Sequence, residues 1–190
     1  MHPCGSLETA AQKCGNRGGK WKAEMLAETI SSRILNTSTS TDVIGIELAA
    51  VLKNIYAVMS GICSGMQYGD NFQAVLMSYS AQEMERFIQG VLPQHRNILE
   101  PHYLGDMLVT GYSQFSRNRT LGTMIGKGYS VRTAQLEMAM VTEGYYATKC
   151  IKEMNMRFRI DIPIVDVAFD ILYNNVSPRV GIQKLIKSLR

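Results

Sequence analysis

The chain has 190 residues, the length of one ordinary domain with a small appendage. Hydrophobic residues make up 46% of it and charged residues 19%, which is the composition of a soluble globular protein. The formal net charge is +4, and the 20 Lys and Arg residues are scattered, without the basic stripe of a nucleic-acid-binding protein. We therefore expect no nucleic-acid partner, and the mild positive charge fits a small anionic ligand.

The first part of the chain differs from the rest. Residues 1–20 show no apolar periodicity, which predicts a disordered tail that is foreign to the later residues. They lack the apolar segment of a signal peptide, and no run of about eighteen uncharged apolar residues occurs later, so we expect a cytoplasmic protein without stable membrane insertion. Residues 21–33 predict a short amphipathic helix, and the Thr-rich segment 34–40 predicts a short strand or an extended linker.

From Asp42 onward the pattern is helical. Residues 43–66 are apolar on almost every face, which is typical of the central, buried helix of a helical domain. Residues 93–101 predict a loop, and no strand ladder or internal repeat is visible. The sequence therefore predicts a mostly α domain from about residue 42. Its further helices are predicted from Asp70 to Phe87, over 104–111 and 121–125, in two pieces between 130 and 152, and over 163–173 and 180–189.

Lys53 is an unusual residue because it lies near the middle of the predicted helix 43–66, where Glu47 is the only other charged residue. Removing an ammonium group from water favours its neutral form, and a neutral lysine can act as a general base. The alternative is a lysine whose stem packs while its charged end reaches the surface. Asp106 lies in the apolar run 104–109 and needs a cationic partner, for which Lys53 is available.

Two further polar features interrupt the helical pattern. The segment 116–119, SRNR, sets arginines beside hydroxyl and amide groups, a combination that suits phosphate oxygens. The alternative for this segment is a solvated basic loop capped by Ser and Asn. Glu143 interrupts an apolar stretch and precedes Gly144, where the backbone can approach a ligand closely. Its alternative is a surface position at a helix cap.

A metal site is not expected. The four cysteines include no CxxC pair and have no neighbouring histidines, which argues against zinc. The three histidines are spread over the tail and a loop, and we expect them to be ordinary surface residues.

Five motifs follow one another along the helical part of the chain. They are DVIGIELAAVLKNIYAVMSGICSGMQYGDN (42–71), LGDMLVT (104–110), SRNRTLG (116–122), VTEGYYATK (141–149) and IDIPIVDVAFDILY (160–173). Taken in order, they resemble the C-terminal, substrate-binding domain of NAD(P)-dependent glycerol-3-phosphate dehydrogenases, nearly continuously over 42–190. The resemblance implies a mostly α, multi-helix domain of the 6-phosphogluconate-dehydrogenase-like type.

The resemblance also implies roles for individual residues. Lys53 matches the family's proton acceptor and binds substrate, and Asp106 matches a residue that binds substrate and helps to organise that lysine. The family's substrate-binding SRN motif corresponds to Ser116, Arg117 and Asn118, and Arg117 also reaches toward the cofactor. The positions that contact NAD or NADP correspond to Val141 and Glu143. Two further residues of the same motifs are expected near the substrate, Asn54 and Thr110.

The implied reaction is the interconversion of sn-glycerol 3-phosphate and dihydroxyacetone phosphate, in carbohydrate metabolism and phospholipid biosynthesis. A complete enzyme would also need a Rossmann domain with a GxGxxG turn after a strand, and no such turn occurs here. Residues 21–41 then correspond to a remnant of the end of that domain. We expect a truncated fragment that binds nucleotide poorly and turns over slowly or not at all, with self-association, for example as a homodimer, through apolar surface left uncovered.

Two other interpretations stay open from the sequence. One is a different dehydrogenase with a helical C-terminal half, of the 6-phosphogluconate or hydroxyacid type, although the SRNR and VTEG strings favour glycerol 3-phosphate. The other is a non-catalytic helical module for dimerisation or partner binding that keeps an ancestral sequence.

Overall fold

The computed structural model of the chain describes residues 17–33, 37, 39–138 and 141–188. These residues form helices and no β-strand, which confirms the predicted mostly α class. A single π-helical turn, Pro101–Gly105, leads directly into the fourth α-helix. The α-helices are α1 (Arg17–Ile30), α2 (Val43–Gly65), α3 (Asp70–Val91), α4 (Asp106–Tyr112), α5 (Arg117–Gly126), α6 (Val131–Glu137), α7 (Glu143–Phe158), α8 (Pro163–Tyr173) and α9 (Pro178–Ser188).

The boundaries of α1 differ from the predicted ones. The helix begins at Arg17 and ends at Ile30, so residues 17–20 are helical and not part of a disordered tail. The pattern-based start at 21 was late because RGGK, the first turn of the helix, contains no apolar residue to mark it. Residues 1–16, the rest of the predicted tail, lie outside the described residues, as do residues 34–36 and 38 of the predicted strand or linker.

The chain divides into two compact units, Met1–Glu47 and Leu48–Arg190, and the division falls within α2. In the larger unit α2 is buried on most faces, as predicted, and its side chains from Leu52 to Cys63 include eight residues of the buried hydrophobic core. By length and a mean hydropathy of 1.5, α2 could also cross a membrane. The central helix of a soluble protein meets the same criterion, and 56% of the tested window is buried inside this fold.

Backbone contact brings α2 and α5 unusually close. A Cβ atom on Gly61 would lie 2.0 Å from the carbonyl oxygen of Arg119, and one on Gly122 would lie 2.0 Å from that of Val58. No side chain fits at either distance, so glycine is required on both helices. The close approach fixes the first turn of α5, which carries the SRN motif, against the middle of α2.

A buried group of polar side chains joins α2, α3 and α4. The Ser60 hydroxyl lies 2.9 Å from Gln73 Oε1 and 2.8 Å from the carbonyl oxygen of Gly111, and Gln73 Nε2 donates to the carbonyl oxygen of Ser60 at 3.0 Å. These bonds hold the C-terminal end of α4 on α2, since buried polar groups are costly to leave unpaired. They therefore help to set the position of α4 along α2.

The last helices are tied to the centre by a buried carboxyl group. Glu83 of α3 is 0% exposed, and its two oxygens accept the backbone N–H groups of Ile164 and Val165 at 2.7 and 3.2 Å. These N–H groups lie in the first turn of α8, where backbone N–H groups have no hydrogen-bond acceptor within the helix. Glu83 therefore caps α8 from a neighbouring helix.

Candidate functional site

Lys53 and Asp106 form an ion pair. Lys53 lies in the middle of α2 and Asp106 is the first residue of α4, and Nζ donates to Oδ2 at 2.5 Å. Their side chains are 21% and 41% exposed, so the pair is accessible to a ligand and partly shielded from water. The predicted pairing of Lys53 with Asp106 is thus confirmed, and the charged end of Lys53 is partly exposed. Thr110 donates its hydroxyl to the backbone oxygen of Asp106 at 2.7 Å.

A chain of hydrogen bonds between buried amides connects α2, α5 and α7. Asn54 Nδ2 donates to Glu143 Oε2 at 3.0 Å and to the Ala50 carbonyl oxygen at 3.1 Å. Asn118 Nδ2 donates to Asn54 Oδ1 at 2.9 Å, and Asn118 Oδ1 accepts the backbone N–H of Gly144 at 2.9 Å. The two asparagines are only 9% and 7% exposed, so these bonds are largely protected from water.

This amide chain fixes the neighbours of three predicted site residues. Asn54 follows Lys53, Asn118 follows Arg117, and Gly144 follows Glu143 in the sequence. A side chain at Gly144 would place a Cβ 2.6 Å from the carbonyl oxygen of Asn54, so only glycine permits the contact. The close backbone approach predicted at Gly144 therefore serves the packing of α7 on α2.

The SRN motif forms the start of α5. Ser116 is the N-cap residue, and its Oγ accepts the backbone N–H of Arg119 at 3.3 Å. Arg117 is the first residue of the helix and is exposed. Each end of the Asn118 amide already holds one internal bond, which leaves one N–H and one lone pair. The serine cap agrees with the alternative interpretation of this segment as a capped basic loop. The guanidinium of Arg117 is also exposed to a ligand.

The predicted cofactor contacts lie at the start of α7. Thr142 is the N-cap residue and is buried, whereas Val141 is 66% exposed and Glu143 is exposed. Both predicted contact residues are therefore open to solvent, and Glu143 is also bonded to Asn54. Among the described residues no strand leads into a glycine-rich helix start, so a cradle for the pyrophosphate is not found in this part of the chain.

Some of the supporting residues were not singled out from the sequence. Ser60 and Gln73, which hold α4, and Gly61 and Gly122, which hold α5, have no part in the predicted site. A signal for Ser60 was available, because it is a polar residue within the mostly apolar stretch 55–63 of α2. Its hydrogen-bond partner on α4, Gly111, is 51 positions away along the chain, and only the fold shows that the two residues meet.

Comparison with known proteins identifies close similarities. Residues 42–183 match the family model described as NAD-dependent glycerol-3-phosphate dehydrogenase C-terminus. The chain is 38% identical over 153 residues to the glycerol-3-phosphate dehydrogenase [NAD(P)+] of Staphylococcus aureus strain JH9, and likewise to that of strain USA300. The crystal structure of glycerol-3-phosphate dehydrogenase from Coxiella burnetii aligns with a TM-score of 0.83 at 27% identity.

These alignments cover most of this chain but only part of its relatives. The aligned residues are 80% of this chain and 46% of the Staphylococcus aureus proteins, and 88% of this chain and 51% of the Coxiella burnetii chain. The chain therefore spans about half the length of the relatives it matches.

Proposed function

Because the chain belongs to the NAD-dependent glycerol-3-phosphate dehydrogenase family, whose C-terminal domain it matches, we propose that it forms the substrate-binding half of an oxidoreductase site. The reaction is the interconversion of sn-glycerol 3-phosphate and dihydroxyacetone phosphate with NAD or NADP, in the cytoplasm, supplying glycerophospholipid synthesis. The observation that carries the proposal is the accessible Lys53–Asp106 ion pair beside the amide chain. That arrangement puts an acid/base group next to polar groups held at fixed positions.

Lys53 exchanges the proton of the substrate oxygen. When the alcohol is oxidised, its hydroxyl proton leaves as the C–H bond breaks, and Lys53 Nζ receives it as a neutral amine that has first released a proton to solvent. In the opposite direction the ammonium group donates that proton to the carbonyl oxygen. Asp106, 2.5 Å away, stabilises the ammonium form and orients Nζ.

The phosphate group of the substrate is held by the SRN motif. Arg117 offers two parallel N–H groups to phosphate oxygens, and Ser116 and the remaining N–H of Asn118 add shorter-range contacts. Because Asn118 is bonded to Asn54, which follows Lys53, the phosphate contact and the proton acceptor belong to one connected structure. This connection orients a three-carbon substrate with its reacting carbon near Lys53.

Val141 and Glu143 would hold the nicotinamide end of the cofactor. The bound cofactor would supply a hydride acceptor for the alcohol in its oxidised form and a hydride donor for the ketone in its reduced form. Asn54 fixes Glu143 Oε2 through its amide, which leaves Glu143 Oε1 to accept a hydrogen bond from a ligand. Residues 21–41 are proposed to be the end of a dinucleotide-binding domain, and 42–190 the substrate domain. Because the chain spans half of its relatives, we propose that it is a fragment with little or no turnover alone; the homodimer stays a prediction.

Substrate binding tests this proposal without requiring turnover. The full chain, labelled with ¹⁵N, is titrated with dihydroxyacetone phosphate while amide chemical shifts are followed by NMR. We expect saturable shifts at Asp106 and over 116–118, and an affinity lowered at least about tenfold in Arg117→Gln and Lys53→Met, since each loses a charge-assisted contact. Shifts that do not saturate, or that are unchanged in both variants, would contradict the proposal.

Two controls define the specificity of that titration. Glycerol, which has no phosphate, should produce no saturable shift at the same concentrations. Lys187→Gln, an equal change of charge on α9, should bind dihydroxyacetone phosphate as the unaltered chain does.

A further inference from the structure

A separate cavity opens along α5, outside the site formed by Lys53, Asp106 and Arg117. Its volume is about 280 Å³. Pockets for drug-sized ligands run from about 300 to 1,000 Å³, so this cavity suits a small ligand. It is lined by Gln114, Arg119, Thr120, Thr123, Met124 and Lys127.

The charge of the cavity wall selects for an anion. Its lining holds two cationic groups, Arg119 and Lys127, and no carboxylate. Within the described part of the chain neither cation takes part in an ion pair. Arg119 lies in the first turn of α5, Lys127 is the C-cap residue of that helix, and both residues line the same cavity. An anion in the cavity therefore faces two cationic groups.

The hydrogen-bonding groups of the wall point to the same ligand. Thr120 donates its hydroxyl to the carbonyl oxygen of Ser116 at 3.1 Å, and Thr123 donates to that of Arg119 at 2.9 Å. Both hydroxyl hydrogens are thus in use, and the donors that remain are the two cations and the Gln114 amide. Three side chains of the wall can therefore donate to phosphate oxygens, which are hydrogen-bond acceptors.

The guanidinium of Arg119 is poorly bonded in this arrangement. Its terminal nitrogen reaches Ser64 Oγ at 3.4 Å, near the limit of a hydrogen bond. Its Nε is buried and has no hydrogen-bond partner among the described residues. An unpaired buried donor is destabilising, so a small rotation of the guanidinium toward an anion in the cavity would gain bonds without losing strong ones.

We propose that this cavity is a second anion site, which binds the phosphate group of a small phosphate monoester through Arg119, Lys127 and Gln114. Residues two apart in an α-helix point about 200° apart, so Arg119 and Arg117 lie on nearly opposite sides of α5 and serve different sites. Met124 supplies an apolar wall for a short carbon chain on the phosphate. The inference rests on the cavity alone and does not depend on the proposed dehydrogenase function.

Titration of the full ¹⁵N-labelled chain with inorganic phosphate, against sodium chloride at matched ionic strength, tests the site. We expect saturable amide shifts at Thr120, Thr123 and Lys127 that chloride does not reproduce. The exposed Lys127→Gln variant should weaken phosphate binding about tenfold, because one charge-assisted contact is lost. Arg119→Lys, which keeps the charge but removes the planar fork, should also weaken it.

Matched variants separate this site from the proposed substrate site. Arg117→Gln and Lys187→Gln should leave the phosphate shifts at Thr120 and Thr123 unchanged. The inference is overturned if those two shifts are unchanged in Lys127→Gln, if chloride reproduces them, or if they disappear in Arg117→Gln. A failure of the dehydrogenase proposal would appear instead in the dihydroxyacetone phosphate titration, at Asp106 and over 116–118.

Discussion

Glu83 shows how one residue can make the stability of this fold depend on pH. Burial raises the pKa of its carboxyl group to about 8, because desolvation outweighs the two N–H groups of α8 and the nearby charge of Arg86. In the unfolded chain a glutamate has a pKa of about 4.3. Between these values the folded protein holds a proton that the unfolded chain has released. The free energy of unfolding therefore falls as pH rises from about 4.3 to about 8.

Glu83→Gln should remove this dependence. Glutamine keeps the size of the side chain and one acceptor for α8 but cannot ionise, so it destabilises the protein most at low pH, where the neutral carboxyl group is intact. The difference in unfolding free energy between the two proteins should shrink by about 1.4 kcal/mol per pH unit within that window. Urea unfolding at pH 5, 6, 7 and 8 measures it.

The comparison needs a variant with the same chemical change at the surface. Glu153 on α7 has a side chain that is 56% exposed. The free energy of unfolding of Glu153→Gln should follow a curve parallel to that of the unaltered protein from pH 5 to pH 8. If the curve of Glu83→Gln is also parallel, Glu83 is ionised in the folded state and the inferred direction of its pKa shift is wrong.

At the scale of elements, the contact between α2 and α5 sets the geometry of the candidate site. Gly122→Ala would place a methyl group 2.0 Å from the Val58 carbonyl oxygen, so the helices must separate. Overpacking of this kind costs about 1–3 kcal/mol, more than the helix propensity gained from alanine. We expect a loss of about 2 kcal/mol in the free energy of unfolding, measured by urea denaturation.

Gly105→Ala is the matched control for the helix contact. Gly105 has helical dihedral angles, and a Cβ there would lie 3.6 Å from Pro101 Cβ, an ordinary contact. This variant should be as stable as the unaltered protein or slightly more stable. Equal losses in the two variants would show that the α2–α5 contact yields more easily than its backbone distances indicate.

The elements were predictable wherever apolar periodicity was strong. The buried α2 and the presence of two helical pieces between 130 and 152 follow from the sequence, as does the pairing of Lys53 with Asp106. The amide chain does not, because Asn54 lies 64 positions from Asn118 and 89 from Glu143, and short-range patterns carry no information over such distances. Glu83 was also missed, although it falls at helical spacing with the buried residues Leu76, Ser80 and Phe87.

At the scale of the whole molecule, the chain is proposed to offer one half of a two-sided site. Its described residues include the Lys53–Asp106 ion pair and the exposed Arg117, all in the larger unit. The relatives are about twice as long, and the aligned part is 46% of the Staphylococcus aureus proteins. Holding a substrate phosphate requires only local groups, whereas hydride transfer requires the nicotinamide ring to be fixed against the substrate. We therefore expect this chain to bind the substrate without converting it.

We expect the chain to bind dihydroxyacetone phosphate and yet to oxidise NADH with it no faster than the uncatalysed background, as followed by the loss of NADH absorbance. The Coxiella burnetii enzyme, assayed at the same protein concentration, shows that the conditions support the reaction. A rate within about tenfold of that enzyme's would contradict the proposed loss of turnover. If Lys53→Met then abolished the rate, the chain would hold a complete catalytic site, since a lysine that exchanges the substrate proton matters only where hydride is also transferred.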